Sequence, residues 1–205
     1  MELTLVQIGK RFNFNWLFRN FNYTFTTGSR TVILGSNGSG KSTFLQLIAG
    51  YGTASEGTIS WKYNNASIIA ENLYTHISLA TPYLELIEDF TLREHIVFHF
   101  KLKRSCKGLS TDQILEHSGL ADKADTRIAY FSSGMKQRVR LLLAILSETP
   151  LLLLDEPTSN LDRSAIAWYQ KLVEQFGEQR TIVVCSNSIP DEYSFCNAQI
   201  DLSSR

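Results

Sequence analysis

The sequence has 205 residues, 43% of them hydrophobic, enough for a sizeable core and too apolar for a disordered chain. Lys+Arg and Asp+Glu both number 20, so the formal net charge is zero and the overall balance does not recommend a nucleic-acid partner. Cys106, Cys185 and Cys196 are odd in number and scattered, which argues against a disulfide framework or a zinc spacing.

The first residues lack the apolar core of a signal peptide. No window approaches the roughly 18 apolar residues needed to cross a bilayer. The expectation is a soluble chain that meets any membrane through a partner. Leu3, Leu5 and Gln7 alternate with Thr4, Val6 and Ile8, the period of a strand, and the aromatic-rich stretch 12–25 continues as antiparallel strands and turns. A short buried strand over 31–34 leads into a glycine-rich loop. A helix over 42–49 follows, stopped by Gly50. Residues 57–61 read as a further antiparallel strand.

From about Pro82 to Ser147 the pattern becomes helical. Thr91, with Glu94 three residues on, caps a helix running through Lys103. Ser110 or Thr111 opens a second helix that ends near Gly119, and a third follows Phe131-Ser132-Ser133. His95 and His99 lie four apart on the first of these helices without an HExxH pattern, and read as exposed or amphipathic helix residues, not ligands. Residues 151–154 are all leucine, as a parallel strand buried on both faces requires. A helix near 162–176 and a strand over 181–185, with Cys185 packed inside, complete a β-α-β unit. The expected fold is α/β, a single domain over 1–205. Residues 1–81 and 148–205 form the core with its N-terminal antiparallel strands, and 82–147 form a helical subdomain.

Gly35-Ser36-Asn37-Gly38-Ser39-Gly40-Lys41-Ser42 is a complete GxxxxGK[ST] phosphate-binding loop, set between a predicted strand and a predicted helix. Its glycines let backbone N–H groups face a phosphate without Cβ obstruction, and the helix N-terminus adds partial positive charge. Lys41 suits the β- and γ-phosphates of ATP, and the Ser42 hydroxyl suits Mg²⁺, with Thr43 beside it on the first helical turn. The leucine strand carries Asp155 and Glu156 to the carboxyl end of the sheet, where ligands bind in such folds. There Asp155 can hold Mg²⁺, and Glu156 can orient or deprotonate the attacking water.

With these motifs in place, nearly the whole chain resembles the ATP-binding-cassette (ABC) ATPases, and most of all short exporter-type subunits of bacterial transporters. Phe131-Ser132-Ser133-Gly134-Met135 resembles the family's LSGGQ signature, departing from it at three of five places. In the family this segment grips the γ-phosphate of ATP on the opposite subunit, which would give Ser132, Ser133 and the Gly134 N–H that task. Ser159-Asn160-Leu161-Asp162 resembles the loop that bridges two subunits, and Asp162 or Asn160 can equally cap a helix. Phe12 lies where the family stacks an aromatic residue on adenine, with Phe14, Trp16 and a plain core role as alternatives.

Two family elements are missing. No Gln stands near Thr81-Pro82, where Thr81 offers only a hydroxyl and a turn is the plainer reading. The family's switch histidine is replaced by Asn187. The resemblance implies an ATP- and Mg²⁺-dependent ATPase, slowed by Asn187, that dimerises with a second copy of itself on ATP. It further implies a transmembrane permease as partner, on the inner face of the cell membrane, with no nucleic acid involved. The alternative is a regulatory or assembly ABC protein with weak hydrolysis.

Overall fold

The computed structural model describes residues 1–202, which divide into two compact units. The first comprises Met1–Leu79, Thr149–Glu156 and the chain from Gln179. The second comprises Ala80–Glu148 and Pro157–Glu178. The second unit therefore contains the helical stretch 82–147 and also takes in 157–178, a segment assigned to the core from sequence.

The first unit holds two sheets. Strands β1 (Glu2–Phe12), β2 (Asn15–Phe25), β4 (Glu56–Tyr63) and β5 (Ala66–Ile68) form an antiparallel sheet in the order β2-β1-β4-β5. The second sheet has the order β6-β7-β8-β3-β9, with β3 (Arg30–Leu34), β6 (Ile77–Ala80), β7 (Leu151–Asp155), β8 (Thr181–Ser186) and β9 (Ala198–Asp201). Strand β3 runs parallel to both β8 and β9, and β7 runs parallel to β8. Every residue of β7 and of β8 is buried, which explains their unbroken apolar runs.

Helix α1 (Lys41–Ile48) joins the core of this unit through Phe44. The Phe44 ring meets Phe18 and Phe21 edge-on at 5.7 and 5.1 Å, an arrangement favoured by the aromatic quadrupole. The alternation expected for β1 holds only to Leu5. A bulge shifts the register between Leu5 and Ile8, so Ile8 joins Leu3 and Leu5 on the buried side while Val6 and Gln7 are exposed. Gln7 adopts φ 51°, and opposite it Gly57 has φ 79°. A Cβ on Gly57 would lie 2.4 Å from the Val6 and Gln7 carbonyl oxygens, so only glycine fits against the bulge.

The second unit is helical. In α2 (Leu92–Leu102) Thr91 and Glu94 form the expected capping box, and in α3 (Thr111–Ser118) Ser110 and Gln113 form another. Gly119 ends α3 in the left-handed region at φ 63°. Helices α4 (Ser133–Leu146) and α5 (Arg163–Phe176) follow. Trp168 on α5 donates its Nε1–H to the His117 carbonyl at 2.7 Å, and the Arg138 guanidinium of α4 lies 4.7 Å from its ring centroid.

Of the two readings of the α2 histidines, exposed or amphipathic, the amphipathic one holds: His95 is buried and His99 half-buried, while Val97 and Phe98 between them are exposed. His95 is buried and its Nε2 accepts the Ile87 N–H at 3.2 Å. His99 Nε2 lies 2.9 Å from the Ser147 Oγ, and burial pushes its pKa down to about 4.

Candidate functional site

Strand β3 delivers the chain into the glycine loop, and α1 begins at Lys41. Gly38 and Gly40 have φ of 81° and 95°, values that side chains rarely adopt. At Gly40 space is closed as well, since a Cβ would meet Leu17 at 3.2 Å. Ser36, Asn37 and Gly38 are exposed, so the rim of the loop is open to a ligand. Ser42 and Thr43 follow, half-buried, on the first turn of α1.

Lys41 is buried. Its Nζ donates to the Gly35 carbonyl at 2.7 Å, the Ser36 carbonyl at 3.0 Å and the Asn187 Oδ1 at 2.5 Å. The same Asn187 amide donates through Nδ2 to the Glu156 Oε1 at 2.7 Å. Lys41, Asn187 and Glu156 thus form one hydrogen-bonded row, brought together from α1, from just beyond β8 and from just beyond β7.

The β7/β8 pairing explains how Asp155 and Glu156 arrive. Asp155 stands opposite Cys185 in the parallel register, and the Glu156 N–H donates to the Cys185 carbonyl at 2.9 Å. The Cys185 thiol in turn donates to the Lys41 carbonyl at 3.5 Å. Cys185 is the expected packed residue, and burial pushes its thiol well up, away from thiolate chemistry. Asp155 is buried at the strand end. Glu156 adopts φ 43°, a costly conformation for a carboxylate residue that turns the chain sharply where β7 stops.

Mg²⁺ prefers oxygen donors, takes one or two from protein and completes its shell with phosphate and water. Asp155, a buried carboxylate whose register partner Cys185 hydrogen-bonds the Lys41 carbonyl at the start of the helix that carries Ser42, fits that donor set. Among the described residues no cluster of three or more His, Cys, Asp or Glu side chains could hold a metal by itself.

The signature-like segment lies in the second unit. The Ser132 Oγ accepts the Met135 N–H at 3.2 Å and caps α4, while Ser133 is its exposed first residue. Gly134 faces the Asn160 carbonyl so closely that a Cβ would lie 2.7 Å from that oxygen. Asp162 accepts the Ala165 N–H at 2.8 Å and the Ser164 hydroxyl at 2.7 Å, capping α5, and these bonds hold its carboxyl below the usual range. Sequence reasoning passed over Gln137. It is buried on α4 and its Nε2 donates to the Pro157 carbonyl at 3.1 Å, pinning the segment that follows Glu156. Its one sequence signal is a polar residue inside the apolar face of α4.

Phe12 and Phe14 are exposed, at 55% and 92%, which removes both from the core. Trp16 has Arg19 4.5 Å from its ring centroid and Arg11 at 5.5 Å, so its ring is engaged by guanidinium groups. At Thr81 the hydroxyl accepts the Tyr83 N–H at 3.4 Å and the carbonyl accepts the Leu84 N–H, the turn expected there.

The profile of the ABC transporter family matches residues 18–159, a span that runs from β2 through both phosphate motifs. The chain belongs to the ABC transporter family, as an ATP-binding subunit. The cytochrome c biogenesis ATP-binding export protein CcmA of Aliivibrio fischeri is 30% identical over 168 residues, 82% of each chain. The Nod factor export ATP-binding protein I of Burkholderia lata is 27% identical, covering 93% of this chain and 64% of its own.

Among solved structures, a bacterial Atm1-family ABC exporter with ATP bound superposes with a TM-score of 0.82 at 21% identity, over 98% of this chain and 37% of that one. A dimeric post-hydrolysis state of an ATP-binding cassette with ADP and phosphate gives 0.81 at 22% identity, over 98% and 94% of the two chains. These structures establish the ABC ATPase fold: a P-loop core, an antiparallel sheet and a helical subdomain. Among the described residues of this ABC subunit, no helix is long and apolar enough to cross a membrane.

Proposed function

We propose that this subunit hydrolyses ATP with Mg²⁺ to drive a transmembrane permease of exporter type from the cytoplasmic side. A second copy of the subunit would close over the nucleotide. The observation that carries this reading is the row Lys41–Asn187–Glu156, which sets the phosphate-loop cation and a carboxylate on one neutral amide.

In this reading the loop from Gly35 to Gly40 wraps the phosphates with backbone N–H groups, and Lys41 balances the charge on the β- and γ-phosphates. Ser42 and Asp155 would hold Mg²⁺, which would supply neutralisation of the charge on the phosphate oxygens. Glu156 takes a proton from water as its oxygen attacks the γ-phosphorus, and ADP leaves. Ser132, Ser133 and the Gly134 N–H of the second copy face the γ-phosphate, Asp162 lies at the joint between copies, and Phe12 stacks on adenine. Hydrolysis is slow, because Asn187 cannot become a cation near neutral pH as the family's histidine can. A single such contact is worth about 1.4–3 kcal/mol in the transition state.

The similarity to ATP-binding export proteins of Aliivibrio and Burkholderia supports the transport role. The test is Glu156→Gln. The substitution keeps the amide contact with Asn187 but removes the base. The variant is expected to bind ATP, to release phosphate at least about a hundredfold more slowly, and to elute as a dimer with ATP in size-exclusion chromatography. Normal turnover would refute the role of Glu156, and a monomer with ATP would refute the clamp.

A further inference from the structure

The Asn187 amide contacts the two charges with its two different ends. Oδ1 faces the Lys41 ammonium at 2.5 Å, and the Nδ2 amino group faces the Glu156 carboxylate at 2.7 Å. Reversing the amide would set N–H against N–H and oxygen against oxygen, so the flanking charges fix its orientation. Of the three acceptors on Lys41, the Gly35 and Ser36 oxygens are backbone, and only Asn187 offers a side chain. Lys41 is a compact point charge with three donors, all engaged here. An incoming phosphate oxygen must therefore displace one of them.

We propose that Asn187 is a two-ended positioning residue, which competes with nucleotide phosphate for Lys41 through its oxygen while aiming the Glu156 carboxylate through its amino group. This deepens the ATPase reading above and rests on it. The side chain opposes capture of nucleotide and assists its turnover. A residue that merely supported the local fold would assist both.

The two ends separate by substitution. Asn187→Ala removes both contacts, releasing Lys41 for phosphate and leaving Glu156 unaimed. ATP should bind about threefold or more tighter, while kcat falls about ten- to a hundredfold. Asn187→Asp has nearly the same shape and keeps an acceptor for Lys41, now charged, but sets a carboxylate against Glu156. ATP binding should weaken about tenfold, and kcat should fall as well. Asn187 is half-buried, so both variants should fold, and thermal melting checks this.

The experiment measures ATP affinity by titration calorimetry, and phosphate release at saturating Mg-ATP, for the wild type and both variants. The expected affinity order is Ala, then Asn, then Asp, with kcat highest for Asn. Weaker ATP binding by Asn187→Ala would make the amide a ligand of the phosphate and overturn the inference. An unchanged kcat in either variant would overturn it too. A wild type that binds no ATP would instead refute the ATPase reading itself.

Discussion

In the proposed nucleotide site the central residue is Lys41. Its ammonium is held by three oxygens and is almost shut off from solvent. Substitution by Ala deletes the side-chain cation of the loop, so the phosphate charge would be left to the backbone dipoles and to Mg²⁺. Lys41→Ala is expected to weaken ATP binding at least about tenfold. Titration with a fluorescent ATP analogue reads this directly, and wild-type affinity would remove Lys41 from the phosphate site.

At this scale the sequence was explicit about chemistry and silent about contact. GxxxxGK[ST] and the Asp155-Glu156 pair are legible because each residue type is demanded by the chemistry at a fixed spacing. The bond from Asn187 to Lys41 is not legible, because it joins residues far apart in the chain through the sheet pairing that places β8 beside β3. Gln137 was missed for a similar reason. Its acceptor is a carbonyl, and carbonyls leave no mark in a sequence.

Helix starts were the most legible elements. Thr91 caps its helix as expected, Ser110 and not Thr111 caps the second, Ser132 caps the helix expected after 131–133, and Asp162 and not Asn160 caps the last, since a capping oxygen must sit three residues before the N–H it accepts. The phase of β1 was not legible beyond Leu5, because a bulge adds one residue and turns over the face that follows. The start of α4 also carries a constraint that capping alone would not impose. Gly134 leaves room for the Asn160 carbonyl, and Asn160 itself has φ 63°. Gly134→Ala drives a methyl into that oxygen, so the first turn of α4 or the Asn160–Asp162 loop must shift. ATP binding by the single chain is expected to stay within about twofold, while dimerisation on ATP in the Glu156→Gln background falls at least about tenfold. Sedimentation with ATP measures both states, and an unchanged dimer would show that the Asn160 contact does not govern the joint.

For the whole molecule, the inward turn of His99 makes stability depend on acidity. Its pKa falls from an ordinary 6.5 to about 4 in the fold, chiefly through burial. The unfolded chain therefore takes up a proton first. The contribution of neutral His99 is complete above about pH 6.5, declines as pH falls through the folded value near 4, and levels off below it. The loss amounts to about 3 kcal/mol. Urea midpoints at pH 7 and pH 4 should separate more for the wild type than for His99→Gln, and equal separation would show that His99 does not carry the dependence. The order β6-β7-β8-β3-β9 has a different consequence, one that concerns synthesis. The strand that launches the phosphate loop is made early, yet its two neighbours are the last two strands of the described chain. Arg30 waits for Ile182, and Thr31 waits for Ala198. A nascent chain still short of Ser186 carries the glycine loop without the sheet that shapes it. Nucleotide cannot stabilise such a chain through this site, and β3 stays without its sheet partners until β8 and β9 have been made.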